Sequence, residues 1–592
     1  MFKLFRYLKK YWWAVILAPA FMIVEVAMDM SLPAQMKIMV DSAIDTAYIS
    51  DNLEPVLIVG GTMIGYVFIG VVGGFLSGVF ANIASCNFAN DLRKDVFKKI
   101  MHLSYDQTDD FSTGSLVTRV TNDVTQMQNF VAQMIRMFIR SFGMFVLGII
   151  LTLTIDLKFA IILLIALPLE ILVMLWFMKK AFPVFSIIQT RLDKVNTVVH
   201  ENVSGARVVK AFSKEDYENE RFQRVNGEYA DTLLYVNKLL ALLMPMFMLI
   251  VHFAQAAIYA IGGQSVVEGW NSVAVIGGIP DITLGETQQA VTYIVMICFA
   301  LMQFGMIFSN VARAQASAKR INEVLDCPLE IIDGNLDVNT LTETGTVEFK
   351  NVGFQYPNTN GCVIENINFK INKGETVAIV GATGSGKTTL VNLITRFYDV
   401  TSGEVLVDGV NVKEYKQVDL REKIAIALQK SELFAGTIAE NIAWGKPDAT
   451  LDEIKLAADI AQASEFILAK EYGFDEYVEE KGTSLSGGQK QRLSIARAIV
   501  KKPEILIFDD ASSALDLITE ANLYKAMRKY ISDTTKIVVA QRVATAKNAD
   551  KIIVLDGGSI VDFDTHENLL KNCAIYQDIY NSQLKREGDD NE

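Results

Sequence analysis

Residues 381–388 are the stretch whose residue types and spacing are best suited to chemistry. They read Gly-Ala-Thr-Gly-Ser-Gly-Lys-Thr, which fits the pattern G-x-x-x-x-G-K-T. Glycine has no Cβ atom, so a loop of this composition lets the backbone approach phosphate oxygens closely. Lys387 is placed to reach the β- and γ-phosphates, and the Thr388 hydroxyl to hold Mg²⁺. The stretch predicts a nucleotide site.

Two elements must position this loop. The apolar run at 377–380 predicts a buried strand that ends at Gly381, and the apolar-periodic segment from Thr388 predicts a helix. The backbone amides at the start of that helix would face the bound anion. In this turn and the first helical turn, the residues expected to contact the nucleotide are Gly381, Thr383, Gly384, Ser385, Gly386, Lys387, Thr388 and Thr389.

Composition indicates a chain that is half membrane protein and half soluble enzyme. With 592 residues, the chain is too long to form a single hydrophobic core. Of its residues, 51% are hydrophobic and 21% are charged. The net charge of −13 argues against a nucleic-acid partner. The five cysteines are scattered without C-x-x-C spacing, so neither a disulfide framework nor a zinc site is indicated.

The first half of the chain contains six long apolar stretches, each able to span a membrane as a helix. They cover residues 12–38, 55–85, 131–154, 159–179, 234–262 and 287–312. The basic, aromatic residues 1–11 predict an interfacial helix that leads into the first span. A signal peptide is the competing interpretation, but apolar character continues past Met30 and five more stretches follow.

The distribution of basic residues predicts the orientation. Neither 38–92 nor 239–312 contains a lysine or arginine. By the positive-inside rule, the N-terminus, residues 86–130 and 180–233, and the C-terminal half lie in the cytoplasm. The chain is therefore expected to be a multi-pass protein of the cell membrane.

Two carboxylates within the first span, Glu25 and Asp29, are spaced i,i+4 on one helix face. Charges at membrane depth are costly and usually face a bundle interior or a wet cavity. These two can meet a cationic substrate, pair with Arg136 or Arg140, or stay protonated, and the sequence leaves all three alternatives open.

The last two spans are rich in methionine and phenylalanine. Such side chains suit an adaptable apolar binding surface, although core or lipid packing is their commoner use.

Further motifs follow in the second half. Residues 347–354 and 363–371 alternate like antiparallel strands, with Tyr356 at the turn between them. Residues 485–489, Leu-Ser-Gly-Gly-Gln, precede a helix and predict a second anion cradle. The apolar run 505–509 ends in Asp509, which should hold Mg²⁺ through water.

Taken together, these motifs resemble those of ATP-binding-cassette exporters, over nearly the whole chain. The resemblance implies a membrane α-helical bundle of six transmembrane helices with long cytoplasmic extensions, fused to an α/β P-loop nucleotide-binding domain. We place the transmembrane domain at 1–325, a linker at 326–345 and the nucleotide-binding domain at 346–585. Polar turns at 110–116 and 212–219 would transmit motion between the two domains.

The resemblance also implies roles for single residues, with ATP and Mg²⁺ as ligands. Tyr356 would stack on adenine, and Gln429, at the end of the strand-like run 424–429, would contact Mg²⁺ and the attacking water. Thr388, Gln429 and Asp509 would form the metal site. The signature residues would close on ATP held by the other subunit; they are Ser486, Gly487, Gly488 and Gln489.

The chain departs from the family pattern at residues expected, with Gln429, to be catalytic. Asp510 stands where the family has a glutamate that polarises water, and Gln541 where it has a histidine that contacts the γ-phosphate. Losing one methylene withdraws the carboxylate by roughly 1 Å, and such a misplacement can cost about a hundredfold in rate. Glutamine can donate a hydrogen bond but carries no proton charge. A third departure, Glu479 where the pattern has glycine, lies beside the signature.

The departures at Asp510 and Gln541 predict a degenerate site that holds ATP and hydrolyses it slowly or not at all. The intact signature then implies a second half-transporter as partner in a heterodimer. The expected function is ATP-driven export of hydrophobic or amphipathic small molecules, with membrane lipid as surroundings. The alternatives are a homodimeric lipid or drug exporter with two equivalent sites, and an ATP-gated membrane regulator that does not pump.

Overall fold

The computed structural model describes residues 1–276, 282–341, 343–357, 359 and 361–589. These residues form two compact units. The first combines Met1–Met101 with Gly114–Cys327, and the second combines His102–Thr113 with Pro328–Glu592. A short segment from the first half of the chain therefore folds with the second unit.

The helices of the first half are joined by few irregular residues. In chain order they are α1 (Trp12–Ile38), α2 (Ile44–Ser50), α3 (Glu54–Ile100), α4 (Tyr105–Phe111), α5 (Thr113–Thr118), α6 (Val124–Gln133), α7 (Ile139–Ile155), α8 (Leu157–Ser204), α9 (Ala206–Ala211), α10 (Glu215–Ile276) and α11 (Leu284–Asp326). A 3₁₀ helix at Phe2–Tyr11 precedes α1, and π-helical segments at Met39–Ala43, Arg119–Asp123 and Met134–Phe138 connect neighbouring helices.

Six helical stretches among the described residues are long and apolar enough to cross a membrane, which confirms the predicted membrane bundle. They cover Phe2–Ile49, Glu54–Ile100, Thr113–Ile155, Leu157–Ser204, Glu215–Glu268 and Leu284–Asp326. Each contains one of the predicted apolar stretches. The helices extend well beyond those stretches because periodic polar segments continue them at their cytoplasmic ends.

Glycine lets α1 and α3 approach each other closely. A Cβ atom on Gly73 would lie 3.1 Å from the carbonyl oxygen of Phe21, and one on Gly74 would lie 2.5 Å from a carboxylate oxygen of Glu25. Small residues at such positions allow helix backbones to pack tightly in a membrane. Here they also leave room for a charged side chain between the helices.

The two carboxylates of the first span form an ion pair with α7. Arg140 lies 3.4 Å from Oε1 of Glu25 and 3.1 Å from Oδ2 of Asp29. Of the three alternatives left open by the sequence, the structure shows pairing with a basic residue. That residue is Arg140 rather than Arg136. One guanidinium thus serves both carboxylates.

The second unit is built on two sheets and a two-stranded ribbon. Its strands are β1 (Val347–Phe354), β2 (Ile364–Ile371), β3 (Thr376–Gly381), β4 (Ser402–Val407), β5 (Val410–Asn411), β6 (Ile424–Ala427), β7 (Gly436–Thr437), β8 (Tyr477–Val478), β9 (Ile505–Asp509), β10 (Thr535–Val539), β11 (Lys551–Asp556) and β12 (Ser559–Asp564). The antiparallel sheet has the order β2-β1-β4-β5, and the larger sheet β12-β11-β3-β10-β9-β6. In the larger sheet, the neighbours from β11 to β6 are parallel.

Besides α4, the second unit contains ten α-helices among the described residues. They are α12 (Lys387–Ile394), α13 (Gln417–Lys423), α14 (Ile438–Ala443), α15 (Leu451–Ile460), α16 (Ser464–Leu468), α17 (Gly487–Val500), α18 (Leu517–Tyr530), α19 (Val543–Ala546), α20 (His566–Asn572) and α21 (Ala574–Asp589). Strand β9 is buried along its whole length, as expected for a central parallel strand covered on both faces. The predicted α/β P-loop domain is confirmed.

We expect Gly74→Ala to lower the free energy of unfolding by about 1–3 kcal/mol, the usual cost of overpacking. The added methyl group would push the Glu25 carboxylate away from Arg140. Gly61→Ala in the same helix is the matched control, because a Cβ atom there meets nothing within 4 Å. Thermal unfolding of the purified protein in lipid nanodiscs measures both. Equal melting temperatures for the two variants would contradict the close packing described here.

Candidate nucleotide site

The topology of the large sheet brings the predicted site residues together at the carboxyl ends of its parallel strands. Strands β3, β10, β9 and β6 are adjacent and parallel, so their carboxyl ends meet. The phosphate loop follows β3, Gln541 follows β10, Asp509 ends β9 and Gln429 follows β6. In open parallel sheets, ligands bind outside the carboxyl ends of the strands.

The phosphate loop requires glycine at two positions for different reasons. Gly386 has a φ of +95°, a left-handed conformation that favours glycine, and a Cβ atom there would lie 2.6 Å from Cγ2 of Ile364. A Cβ atom on Gly381 would lie 2.3 Å from the carbonyl oxygen of Leu555. The loop is therefore fixed between β2 and β11.

Lys387 is folded back onto its own loop. Its Nζ donates hydrogen bonds to the carbonyl oxygens of Gly381 (2.9 Å) and Ala382 (2.8 Å). Burial lowers the pKa of Lys387, although Asp510 and Asp509 act in the opposite direction. The Ser385 hydroxyl is buried without a hydrogen-bond partner among the described residues. A phosphate oxygen would supply acceptors for both side chains.

Hard oxygen ligands lie next to the loop. The Thr388 hydroxyl donates to Oδ1 of Asp509 at 2.9 Å, and Asp509 is 2% exposed. Burial raises the pKa of Asp509, so its negative charge is costly until a cation compensates it. Hydroxyl and carboxylate oxygens next to a phosphate site fit Mg²⁺. When bound, this ion would neutralise charge on the β- and γ-phosphates.

Asp510 shares one carboxylate oxygen between two side-chain amides. Oδ2 accepts hydrogen bonds from Nε2 of Gln429 at 3.0 Å and from Nε2 of Gln541 at 2.7 Å. Burial raises the pKa of Asp510, while the hydrogen bond from Gln429 lowers it. The residue has a φ of +53°, in the left-handed region. The three residues expected to be catalytic are thus brought together.

Tyr356 lies beside the phosphate loop. Its hydroxyl is 3.1 Å from that of Thr389, and its ring packs edge-on against Tyr398 with centroids 5.2 Å apart. Burial raises the pKa of Tyr398 to about 12, so it is neutral at physiological pH. Tyr398 was not identified from the sequence. The only feature that could have indicated it is its position, as an aromatic residue shortly after the phosphate-loop helix.

The signature residues form the start of α17. Ser486 caps the helix: its hydroxyl accepts from the Gln489 amide at 3.3 Å, and Oε1 of Gln489 accepts from the Ser486 amide at 3.0 Å. Ser486 and Gly487 are exposed, while a Cβ atom on Gly488 would lie 3.0 Å from the Ala514 carbonyl oxygen. The structure places no hydrogen bond between the described signature residues and the phosphate loop. The exposed Gly487 can present its amide to an anion held by another molecule.

Arg542 holds the segment that follows Asp510, a role that the sequence analysis did not assign. Its guanidinium donates to the carbonyl oxygen of Leu515 at 3.2 Å and lies 3.3 Å from a carboxylate oxygen of Glu520. Its only sequence signal was its position next to Gln541.

The segment His102–Thr113 packs on the second unit. The Tyr105 ring lies on Phe397 with centroids 4.6 Å apart, and Gln107 donates to the Pro328 carbonyl oxygen at 2.6 Å. A capping box at Ser104 starts α4, so the segment has regular structure of its own. The predicted turn at 110–116 is shorter in the structure: α4 continues to Phe111 and α5 begins at Thr113, so that only Ser112 lies between the two helices.

Comparison with known families agrees with this architecture. A family model described as the ABC transporter transmembrane region matches residues 15–284, and one described as ABC transporter matches residues 364–513. The uncharacterized ABC transporter ATP-binding protein YfiB of Bacillus subtilis is 37% identical and covers 99% of both chains.

Two other relatives are named for different activities. A putative multidrug export ATP-binding/permease protein of Bacillus subtilis, YgaD, is 34% identical over 85% of each chain. The ATP-dependent lipid A-core flippase of Syntrophus aciditrophicus is 32% identical over 96% of this chain and 93% of the relative. Among solved structures, a bacterial Atm1-family ABC exporter with ATP bound matches with a TM-score of 0.75, 26% identity and 98% coverage of both chains.

The chain belongs to the ABC transporter family. Within it, the chain is an exporter of the multidrug/lipid type: a multi-pass membrane protein with a cytoplasmic nucleotide-binding domain, which binds ATP with Mg²⁺ and couples ATP hydrolysis to transport.

We expect Asp509→Asn to raise the melting temperature of the nucleotide-free protein and to abolish the Mg²⁺ dependence of nucleotide binding. The substitution removes a buried charge but keeps an acceptor for Thr388. Because the pKa of Asp509 is raised in the folded protein, the wild type gains stability as pH falls through that pKa, and the variant lacks this gain. Scanning fluorimetry over a series of pH values, with and without Mg²⁺ and ATP, measures both effects.

Asp564→Asn is the control for this substitution. Hydrogen bonds from Asn568 and the Thr565 amide lower the pKa of Asp564, so its charge is favourable and its loss should not stabilise the protein. Mg²⁺-dependent binding should be unchanged. A lower melting temperature for Asp509→Asn without nucleotide would show that the buried charge is not costly.

Proposed function

We propose that this chain is the degenerate-site half of a heterodimeric exporter of amphipathic compounds. Its phosphate loop, Tyr356, Thr388 and Asp509 hold ATP and Mg²⁺, but hydrolysis at this site is slow. A partner half-transporter provides the loop and carboxylate of the competent site, which the signature Ser486–Gln489 of this chain completes.

The observation that carries this proposal is the contact of two carboxamides with one oxygen of Asp510. An effective general base must reach the attacking water with a free oxygen of the right geometry. Here Oδ2 is already occupied by Gln429 and Gln541, and the side chain is one methylene shorter than glutamate. Gln541 cannot carry positive charge, so it supplies no cation for the γ-phosphate.

Intact binding elements support ATP retention at this site rather than its loss. The loop has glycines where close approach is needed, and Thr388 and Asp509 are already in contact. Slow hydrolysis with intact binding means that ATP would stay on this chain while the other site turns over.

The exposed start of α17 supports the need for a partner. Ser486 and the Gly487 amide face away from the phosphate loop's hydrogen-bond network and present a helix N-terminus, which binds anions well. A homodimer is the competing arrangement, with two equivalent sites that both contain Asp510 and Gln541.

For the substrate, we propose amphipathic small molecules that leave the cytoplasmic side of the membrane. The methionines and phenylalanines of α10 and α11 provide polarizable apolar surface, and one relative is named for multidrug export. A lipid is the second candidate, because another relative is named as a lipid A-core flippase.

We predict that this chain retains unhydrolysed nucleotide. The complex is purified through a tag on this chain, incubated with a photoreactive ATP analogue during turnover and then cross-linked. Triphosphate should be recovered on this chain in the wild type. In Asp510→Glu with Gln541→His, which restores the longer carboxylate and the histidine, diphosphate should be recovered, since hydrolysis there should be at least about tenfold faster.

Lys387→Ala in the restored background is the control and should remove the cross-link itself. Diphosphate on the wild-type chain, or fast turnover by this chain purified alone, would support the homodimer and refute the degenerate site.

We also predict that two substitutions in this chain differ in their effect on the ATPase rate of the complex. Ser486→Arg blocks the signature, which completes the partner's competent site, and should reduce the rate at least about tenfold. Lys387→Ala affects only the slow site and should leave a larger part of the rate. Steady-state phosphate release measures both, and a stronger loss for Lys387→Ala would contradict the assignment of the two sites.

A further inference from the structure

Glu170 carries a buried carboxyl group within a membrane-spanning helix. No described residue provides a positive charge to compensate it. It lies on α8 between two apolar turns and is 0% exposed. Apart from a contact with the Cys298 thiol, neither carboxylate oxygen has a hydrogen-bond partner among the residues that the structure describes. Ionisable groups at such depth are costly, and they are usually paired or face a functional cavity.

The carboxyl group lines a small cavity between α8, α10 and α11. Its walls are formed chiefly by methionines, phenylalanines and one cysteine: Met244, Met248, Met302, Phe247, Phe299 and Cys298. The cavity volume is about 10 Å³, roughly enough for one water molecule. The Cys298 thiol lies beside Glu170 and interacts with it, but a thiol is only a weak donor.

No basic residue of the surrounding helices is available as a partner. Residues 159–178 of α8 contain no lysine or arginine, and neither do residues 239–312 of α10 and α11. His252 on α10 is exposed, and its Nδ1 lies 2.9 Å from Oε1 of Gln255. Any positive charge that meets Glu170 must therefore come from outside these helices.

The other acidic residues of the bundle make a useful comparison. Glu25 and Asp29 were the candidates for contact with a cationic substrate, but both already pair with Arg140. Glu170 lacks the cationic partner that those two have, although Oε2 of Glu25 also accepts no hydrogen bond from a described residue. The acidic group best suited to meet a cation is thus on α8 rather than α1.

We propose that Glu170 binds the positive charge of an amphipathic organic monocation, a protonated amine or a quaternary ammonium group, and so selects the charge of the transported molecule. The proposal rests on the proposed export of amphipathic compounds and deepens it. A carboxylate supplies the countercharge, aromatic faces attract cations, and thioethers adapt to varied shapes. The same carboxylate would repel the phosphate or carboxylate of an anionic lipid.

The cavity must widen to admit such a molecule, and both flanking helices carry a proline where they line it. Pro168 precedes Glu170 by two residues, and Pro245 follows Met244 directly. A proline inside a helix removes one backbone hydrogen bond and allows the helix to bend there. The helices can therefore separate at the level of Glu170 without breaking a regular hydrogen-bond ladder.

Binding of tetraphenylphosphonium, a permanent lipophilic cation, tests the proposal. The neutral triphenylphosphine oxide is the matched probe, and the complex in lipid nanodiscs is titrated without ATP. Glu170→Gln keeps the size of the side chain and should weaken binding of the cation about tenfold or more, while binding of the neutral probe changes less than about twofold. Glu220→Gln, an exposed residue outside the spans, is the control and should bind both probes as the wild type does.

A second measurement uses the wild type alone and does not depend on the folding of a variant. Dicyclohexylcarbodiimide reacts with protonated carboxyl groups in apolar surroundings: the acid proton moves to nitrogen as the oxygen bonds to the central carbon, and rearrangement gives a stable N-acylurea. Mass spectrometry should find this adduct on Glu170. Tetraphenylphosphonium should slow its formation, and triphenylphosphine oxide should not.

Two outcomes would overturn the proposal: equal loss of affinity for the cationic and neutral probes in Glu170→Gln, or labelling of Glu170 that the cation does not slow. Tighter binding of an anionic lipid by Glu170→Gln, without a change for the cation, would also overturn it and favour a lipid substrate. Nucleotide retention by this chain is measured independently, so failure here leaves the degenerate-site proposal standing.

Discussion

The register of four parallel strands is the constraint on which the nucleotide site depends. In the large sheet, Ala427 pairs with Phe508 and Val539 pairs with Asp509. The same register places Gln429 level with Asp510, and Gln541 one residue beyond it. A slip of one residue in β6 or β10 would turn these amides to the opposite face of the sheet. Hydrogen bonding between β-strands therefore decides which side chains meet at the carboxyl ends of the strands.

The same geometry brings together Asp510 and Gln541, two residues at which the sequence departs from the expected pattern. A glutamate at position 510 would carry one methylene more than Asp510. The shorter Asp510 ends where both amides reach it, and Gln541, which is neutral and always a donor, fills the position where a histidine would change its charge. The amide of Gln541 thus gives the buried Asp510 carboxylate a hydrogen-bond donor. The phosphate loop, which depends on β3 and β11, is unaffected.

The parts of the fold that were predicted from sequence are those encoded by local patterns. Apolar length located all six spans, because a bilayer requires about 20 apolar residues in a row. Strand, glycine loop and helix located the phosphate loop, because each part has its own local signal. Strand β9 was predicted at 505–509, where the structure has it, since a short run of branched apolar residues followed by acidic residues has few other interpretations.

The parts that could not be predicted depend on packing between distant elements. Arg136 and Arg140 are one helical turn apart, and only the packing of α7 on α1 decides that Arg140 meets Glu25 and Asp29. In the segment 102–113, no local sequence pattern indicates that Tyr105 packs on Phe397. Glu170 was not identified from the sequence, because a single glutamate in an apolar span does not reveal whether a basic partner lies opposite it.

Three carboxyl environments in this chain show how donors determine what a buried acid can do. Glu25 and Asp29 share the guanidinium of one arginine, so their negative charges help to hold α1 against α7. Asp510 is supplied with two neutral donors, which stabilise its charge and occupy Oδ2. Glu170 has no donor of comparable strength, and its environment offers none. A buried acid with satisfied oxygens is structural or slow, whereas an unsatisfied one gains most from an incoming cation. By that criterion, the acid with the greatest capacity for a new partner lies in the membrane bundle and not in the nucleotide site.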